Sequence, residues 1–147
     1  MEKEFVPYTL ALALKELGYN EQDFGYYRLS LTEEQEPFTN TELMFFRERY
    51  DNHNFRLEQH PQIKIGGGIC SAPLYQQAFR WFRYKYNLLG NVYSNASGWL
   101  WEIHDNIGGT HRFGSEYSGD CEESGMFTSF EKAELECLKK LIEIVNG

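Results

Sequence analysis

The chain has 147 residues, of which 41% are hydrophobic and 24% charged. It is therefore long enough to bury a core without disulfides or metals, and its composition is that of a folded protein rather than a disordered one. The net charge of −8 argues against nonspecific nucleic-acid binding, because such binding depends on neutralising phosphates. We expect a single globular domain over residues 1–147.

Two further features of the sequence bear on the cellular compartment in which we expect the protein. No apolar run approaches the roughly 20 residues that a bilayer-spanning helix needs, and the acidic N-terminus carries no apolar signal segment. The three cysteines, Cys70, Cys121 and Cys137, are widely spaced and form no CxxC pair. An odd number of scattered thiols is typical of a reduced protein, so we expect a cytoplasmic location without membrane contact.

In the first half of the chain, the spacing of Leu10, Ala13, Leu14 and Leu17 predicts a short helix over residues 8–17. Gly18 suits the left-handed position that ends such a helix. The aromatic segment 24–31 is typical of a strand. Segment 43–50 fits either a strand or a helix, and we favour a strand. We expect loops over 32–41 and 51–62, and a short strand over 63–65 that leads into three glycines.

Residues 72–87, APLYQQAFRWFRYKYN, form the central predicted helix. Pro73 suits its first turn, where a missing N–H has no cost. Apolar side chains recur at spacings of three and four and define one face, and Trp81 falls at the edge of this face. The predicted apolar face consists of Leu74, Tyr75, Ala78, Phe79, Phe82 and Tyr86. The opposite face consists of Gln76, Gln77, Arg80, Arg83, Tyr84 and Asn87.

The C-terminal half begins with a predicted turn over 87–91 and a hairpin that joins 92–94 to 99–104. We expect a long, mobile excursion over 106–127 with at most one strand. Apolar periodicity predicts a last helix over 130–145, capped by Thr128 or Ser129, with an ion pair between Glu136 and Lys140. These elements predict an α+β fold, in which a small antiparallel sheet carries two long amphipathic helices and a short N-terminal helix on one face.

Several of these segments also resemble a known group of proteins. The segments FVPY, LKELGY, FGYY, APLYQQAFRWFRYKYN and SFEKAELECLKKLIEIV resemble a family of small uncharacterised proteins from Bacteroides-type gut bacteria and their phages and mobile elements. The likeness covers about half of the chain and leaves out 32–65 and 104–127. It implies an accessory, cytoplasmic protein and names no activity.

Three constellations invite chemical hypotheses. Gly66, Gly67 and Gly68 precede the central helix, but no Lys-Ser/Thr follows them, so a linker is favoured over a phosphate cradle. Cys70, placed at the predicted helix start, is a candidate nucleophile without a recognisable base. The set His104, His111, Asp120 and Cys121 lacks the tight pairs that zinc sites show. We therefore expect no metal, no cofactor and no catalytic residue.

The acid-free segment 59–101 carries four basic residues, whereas the flanking segments are acidic. Within it we define the basic face as Arg80, Arg83 and Tyr84, with Trp81 beside it. Arginine and aromatic side chains dominate binding hot spots and also stack on single-stranded nucleic acid. We expect a non-enzymatic interaction module that binds a protein partner. The alternatives are nucleic-acid binding through 59–101, a Cys-dependent hydrolase, and arginines that pair only with acids of this chain.

Overall fold

The computed structural model describes residues 2–29, 41–45, 68–105, 111–113 and 127–147. These residues form helices and two antiparallel sheets, so the predicted α+β class is confirmed. The chain divides into two compact units, the first unit Met1–Leu74 and the second unit Tyr75–Gly147. Whether they act as the single domain expected over 1–147 stays a prediction. Of the predicted loop 32–41, residues 32–40 lie outside the described residues, and Thr41 begins a strand instead. The predicted loop 51–62 and the predicted strand 63–65 also lie outside the described residues.

In the first unit, a 3-10 turn at Glu2–Glu4 precedes helix α1, Tyr8–Glu16. The helix ends as its sequence predicts, because Gly18 adopts a φ of 91° that side chains with a Cβ disfavour. The Gly18 N–H donates to the Lys15 carbonyl and the Tyr19 N–H to the Leu14 carbonyl, both at 2.9 Å. This pair of bonds is a Schellman motif, and it turns Tyr19 into the core, where only 1% of it is exposed.

The first sheet contains β1 (Gly25–Leu29), β2 (Thr41–Phe45) and β3 (Gly68–Ala72) in the order β2-β1-β3. The preference for a strand at 43–50 is confirmed as far as Phe45. The N-terminal segment extends this sheet, since the Val6 N–H donates to the Pro73 carbonyl at 2.9 Å. The Tyr27 hydroxyl donates to the Val6 carbonyl at 2.7 Å and fastens the same segment. Helix α1 packs against β3.

Strand β3 corrects two expectations. The sequence predicts a glycine linker here, followed by a helix from Ala72, but Gly68–Ala72 pairs with β1 along its length. Cys70, Ser71 and Ala72 are buried in succession, so the strand lacks the alternation by which a half-exposed strand is recognised. Because this strand completes a sheet of the first unit, the described residues form two three-stranded sheets rather than the one expected.

The second unit contains helix α2 (Tyr75–Tyr86), the strands β4 (Leu88–Asn95), β5 (Gly98–Asp105) and β6 (His111–Phe113), and helix α3 (Phe130–Asn146). Its sheet has the order β4-β5-β6. Strands β4 and β5 form the predicted hairpin, and Asn95 is paired with Gly98 across a two-residue turn. In the part of the chain between 106 and 127 that is described, β6 is the strand present; the rest of the predicted excursion lies outside the described residues.

Helix α2 begins three residues later than its sequence predicts and ends before Asn87, which adopts a φ of 56°. The turn predicted at 87–91 is wrong beyond Asn87, because β4 begins at Leu88. Gly90 lies within this strand. A Cβ at Gly90 would stand 2.9 Å from Cδ1 of Leu141 and 3.0 Å from the Phe79 ring. Helices α2 and α3 therefore meet over one face of the second sheet, as expected for the two long helices.

Helix α3 is capped by Ser129, whose Oγ accepts a hydrogen bond from the Lys132 N–H at 3.2 Å. Thr128, the other predicted cap, instead accepts from the Lys132 ammonium at 3.2 Å. The predicted Glu136–Lys140 pair is replaced by two pairs at spacing three. Lys139 Nζ lies 2.6 Å from Glu136 Oε1, and Lys140 Nζ lies 3.0 Å from Glu143 Oε1. Each surface pair contributes at most about 1 kcal/mol.

The cap leads to a prediction. Replacing Ser129 with Ala should lower the free energy of unfolding by about 0.5–2 kcal/mol, because a helix N–H loses its acceptor. Thr128→Ala is the matched control and should change stability by less than about 0.5 kcal/mol, because Thr128 makes only an exposed side-chain contact. Urea denaturation followed by circular dichroism measures both. Equal losses in the two variants would show that Ser129 is not the cap.

Candidate interaction face

The basic face lies on the exposed side of α2. Arg80, Arg83 and Tyr84 are all exposed, whereas Ala78 and Phe82 on the opposite side are fully buried. The predicted division of this helix is therefore confirmed, with Gln77, Phe79 and Tyr86 at intermediate exposure. Because the buried side anchors the helix, the side chains of the basic face project from a packed backbone rather than from a loop.

Tyr84 is the most prominent apolar group of this face, with 76% of its surface exposed. The Arg83 guanidinium carbon lies 5.4 Å from the centroid of the Tyr84 ring. This distance is within the range of a cation–π contact, which is worth about 0.5–1 kcal/mol at an exposed site. The contact keeps a planar cation and an aromatic ring together at the surface, where both remain available to a ligand.

Trp81 does not belong to this surface. Only 7% of it is exposed, and its ring packs edge-on against Phe82 at 5.1 Å and Tyr86 at 5.4 Å between centroids. The helical spacing places Trp81 at the edge of the apolar face, and its large indole is drawn into the core because burying it removes much apolar area from water. The expectation that Trp81 contributes to the interaction face is therefore corrected.

Lys85 is a basic group that sequence reasoning left out of the candidate site. It is exposed, and its ammonium lies 4.8 Å from the Trp81 ring centroid and 5.5 Å from that of Tyr86. The spacing of four residues from Trp81 was the available signal, because residues at i and i+4 are neighbours on a helix. Lys85 adds positive charge at the C-terminal end of α2, where the helix dipole favours it.

The arginines of the basic face have no ion pair among the residues that the structure describes. In the second unit, the carboxylates of Glu136 and Glu143 are engaged by lysines of α3. Glu102 Oε1 lies 2.8 Å from His104 Nε2 on β5. The acids in these pairs therefore bind side chains other than Arg80 and Arg83. The described part of the chain gives no support to the alternative in which the two arginines pair with acids of the same chain.

The structure does not support the hypothesis that Cys70 is a nucleophile at the start of a helix. Cys70 lies inside β3 rather than at a helix N-terminus, and its side chain is fully buried. Burial raises the pKa of the Cys70 thiol to about 12, although the charge of Lys15 lowers it. A thiol in this environment stays protonated near neutral pH and is a poor nucleophile. Cys137 is equally buried on α3, and burial raises its pKa to about 12 as well.

The other chemical constellations are only partly described. Gly68 is the first residue of β3, and Gly66 and Gly67 lie outside the described residues. The sheet register pairs His104 with His111, while Asp120 and Cys121 lie outside the description. Within the ranges that are described, no three His, Cys, Asp or Glu side chains come together in a way that could hold a metal ion.

Comparison with protein-family models, with curated proteins and with solved structures found no match. The resemblance to accessory proteins of phages and mobile elements therefore stays a prediction. Among the helices of the described segments, none combines the length and apolar character that crossing a bilayer requires.

Proposed function

We propose that this protein is a non-enzymatic interaction module that binds an acidic segment of a partner protein on the basic face of α2. The observation that carries the proposal is the exposed Tyr84 ring with the Arg83 guanidinium beside it, on a helix whose other side is buried. Tyrosine and arginine are enriched in binding hot spots, because they supply contact area and directed charge at a low entropic cost.

The charges around the basic face indicate that the partner is negatively charged. The segment 59–101 contains no acidic residue, so Arg80, Arg83 and Lys85 act together without a neutralising neighbour in sequence. Arginines that have no ion pair among the described residues can bind carboxylates of a partner, which their planar forks hold through two parallel hydrogen bonds. The rest of the chain is acidic, and this repels a polyanion that would extend beyond the face.

Nucleic acid is the second candidate, because an exposed aromatic ring flanked by arginine also suits stacking with an unpaired base. The net charge of −8 disfavours it, since a polynucleotide would pass acidic surface on leaving the basic face. A short acidic peptide avoids this repulsion. For this reason we give the protein partner first place and treat single-stranded nucleic acid as an outcome of the test.

The setting of this function is also a proposal. A cytoplasmic accessory role agrees with the sequence resemblance and with the two described cysteines, Cys70 and Cys137, which are free thiols. Free thiols are typical of a reducing compartment. Neither observation names the partner, so the experiment addresses the chemistry of the face.

Charge reversal tests the proposal. In the variant Arg80→Glu with Arg83→Glu, a fluorescent acidic peptide such as octaglutamate should bind at least about tenfold more weakly, because like charges now face each other. The fold should persist, at a cost of about 1 kcal/mol, because both side chains are exposed. The cost comes from the helix dipole, which opposes the new charges, and from the lost contact between Arg83 and Tyr84. Fluorescence anisotropy at low and moderate salt measures binding, and a thermal melt measures stability.

The matched control is Lys3→Glu with Lys132→Glu, which changes the net charge equally at exposed positions that are not part of α2. It should retain peptide binding within about twofold, well below the tenfold change that 1.4 kcal/mol represents. Equal losses in both double variants would refute the proposed face. Tighter binding of oligothymidylate than of the peptide, lost in the same variant, would assign the face to nucleic acid instead. A large drop in melting temperature with binding retained would show that the arginines are internally paired.

A further inference from the structure

A buried carboxyl group lies in the first unit, whereas the basic face belongs to the second unit. Asp23 is fully buried, and its Oδ1 accepts a hydrogen bond from the Tyr19 hydroxyl at 2.7 Å. The Ser71 hydroxyl on β3 also forms a hydrogen bond with this carboxyl group, yet no donor among the described residues reaches Oδ2 in hydrogen-bond geometry. An ionised carboxylate has two oxygens that each accept strong hydrogen bonds, so this environment satisfies the neutral form better than the charged form.

No cation in the described part of the first unit compensates a charge on Asp23. The described residues of this unit include three basic side chains, Lys3, Lys15 and Arg28. Lys15 donates to the Ile69 carbonyl at 2.8 Å, and Arg28 lies 3.1 Å from Glu42. Lys3 is exposed on the N-terminal turn. Among the described residues, the ionisable and polar groups that act on Asp23 or are acted on by it are Tyr19, Glu21, Cys70 and Ser71.

We propose that Asp23 is a proton-binding switch that holds the segment between α1 and β1 closed against β3 when protonated and loosens it when ionised. The geometry that supports this is the Schellman turn, which carries Tyr19 inward, and β3, which supplies Ser71 and Cys70 on the other side. Release of the proton to solvent leaves a negative charge with the Tyr19 and Ser71 hydroxyls as donors, but with no donor to Oδ2 and no paired cation among the described residues. Opening the segment restores hydration of that charge.

The direction of the pH dependence follows from linkage. Burial raises the pKa of Asp23 to about 7, while the hydrogen bonds from Tyr19 and Ser71 lower it by less. A folded-state pKa above the unfolded value means that the native form binds the proton more tightly. The contribution of Asp23 to stability is therefore fully present below about pH 4 and is lost as the pH rises from there through about 7. Between pH 5 and 8 the unfolding equilibrium constant should rise by about a hundredfold from this group alone.

Asp23→Asn is the deciding variant, because asparagine mimics the neutral acid and keeps an oxygen for the Tyr19 hydroxyl. We expect it to abolish most of that hundredfold dependence and to stabilise the protein at pH 8 relative to wild type. Glu21→Gln removes the same charge two residues away at an exposed position and should leave the pH dependence in place. Urea unfolding at pH 5, 6, 7 and 8 measures all three proteins.

A direct titration keeps the proposal testable if a variant folds poorly. The carboxyl carbon of Asp23, followed by ¹³C NMR in the wild-type protein, should titrate with a midpoint near 7 rather than near the ordinary value of about 4. A midpoint below 5 overturns the proposal, and so does an Asp23→Asn variant with the pH dependence of wild type. The basic face plays no part in these measurements, so either proposal can fail alone.

Discussion

Replacing Phe82 with Ala should lower the free energy of unfolding by about 3–5 kcal/mol, the range for removing a buried aromatic side chain. Phe82 is fully buried in the second unit, where its ring packs edge-on against Trp81 and at a tilt against Tyr86, with centroids 5.1 and 5.8 Å away. Its removal loses apolar burial and leaves a cavity that these two large rings cannot fill without leaving their own positions.

The control for this substitution lies two residues further along the same helix. Tyr84→Ala removes a ring of similar size whose surface is 76% exposed, so its cost should stay within about 1 kcal/mol, the upper value for the exposed cation–π contact with Arg83. Chemical denaturation of both variants compares the buried and exposed sides of α2 directly. Similar losses for Phe82→Ala and Tyr84→Ala would contradict the assignment of one side to the core and the other to the surface.

Leu138→Ala should cost about 2–5 kcal/mol. Leu138 is fully buried on α3, in the middle of a face that also buries Ala133, Cys137 and Leu141. The helix packs on β4 and β5, so a cavity at Leu138 lies between a helix and a sheet that are both held by other contacts. The range of about 2–5 kcal/mol reflects how far the neighbouring side chains can move to fill the cavity that Leu138 leaves.

Two further variants make the Leu138 measurement specific. Leu138→Met nearly conserves volume and should cost less than about 1.5 kcal/mol. Lys139→Ala removes the neighbouring side chain, which is partly exposed and pairs with Glu136 at 2.6 Å, at a cost of at most about 1 kcal/mol. An unfolding midpoint in Leu138→Ala as high as that in Lys139→Ala would show that this face of α3 is not packed.

Helix α2 combines both roles in the second unit. Its buried side holds the helix on β4 and against α3, and its exposed side presents the basic face. Rigid presentation lowers the entropy that binding must overcome, which is why a packed helix is a better platform than a loop of the same composition. Core substitutions such as Phe82→Ala should therefore weaken peptide binding through disorder of the helix, whereas Tyr84→Ala should weaken it with little loss of stability.

Much of the fold was accessible from local patterns. The helices α1, α2 and α3 follow from apolar residues at spacings of three and four, because the period of an α-helix is set by its own hydrogen bonds. The left-handed Gly18 and the cap at Ser129 depend on neighbours within a few residues in the chain. The hairpin of β4 and β5 depends on a two-residue turn between segments that are adjacent in the chain. The division of α2 into a buried and an exposed side is local for the same reason.

Contacts between distant segments decided the rest. Strand β3 is recognised only by its pairing with β1, because its residues are buried in succession and show no alternation. The local sequence around Gly90 predicts a turn, yet Gly90 lies in a strand where Leu141 and Phe79 from two helices would have to shift to admit a side chain. Trp81 lies at the boundary between the apolar and polar faces of α2, so its helical spacing does not predict whether it is buried. Its packing against Phe82 and Tyr86 places it in the core.

The burial of Asp23 is the clearest feature that local sequence patterns did not predict. In the sequence it stands in a polar stretch after Gly18, where a carboxylate is ordinarily solvated. Its burial depends on the turn that carries Tyr19 inward and on β3, which lies more than forty residues further along the chain. Periodicity and capping report on neighbours in the chain, whereas the dielectric environment of a carboxyl group is set by whichever distant segments exclude water from it.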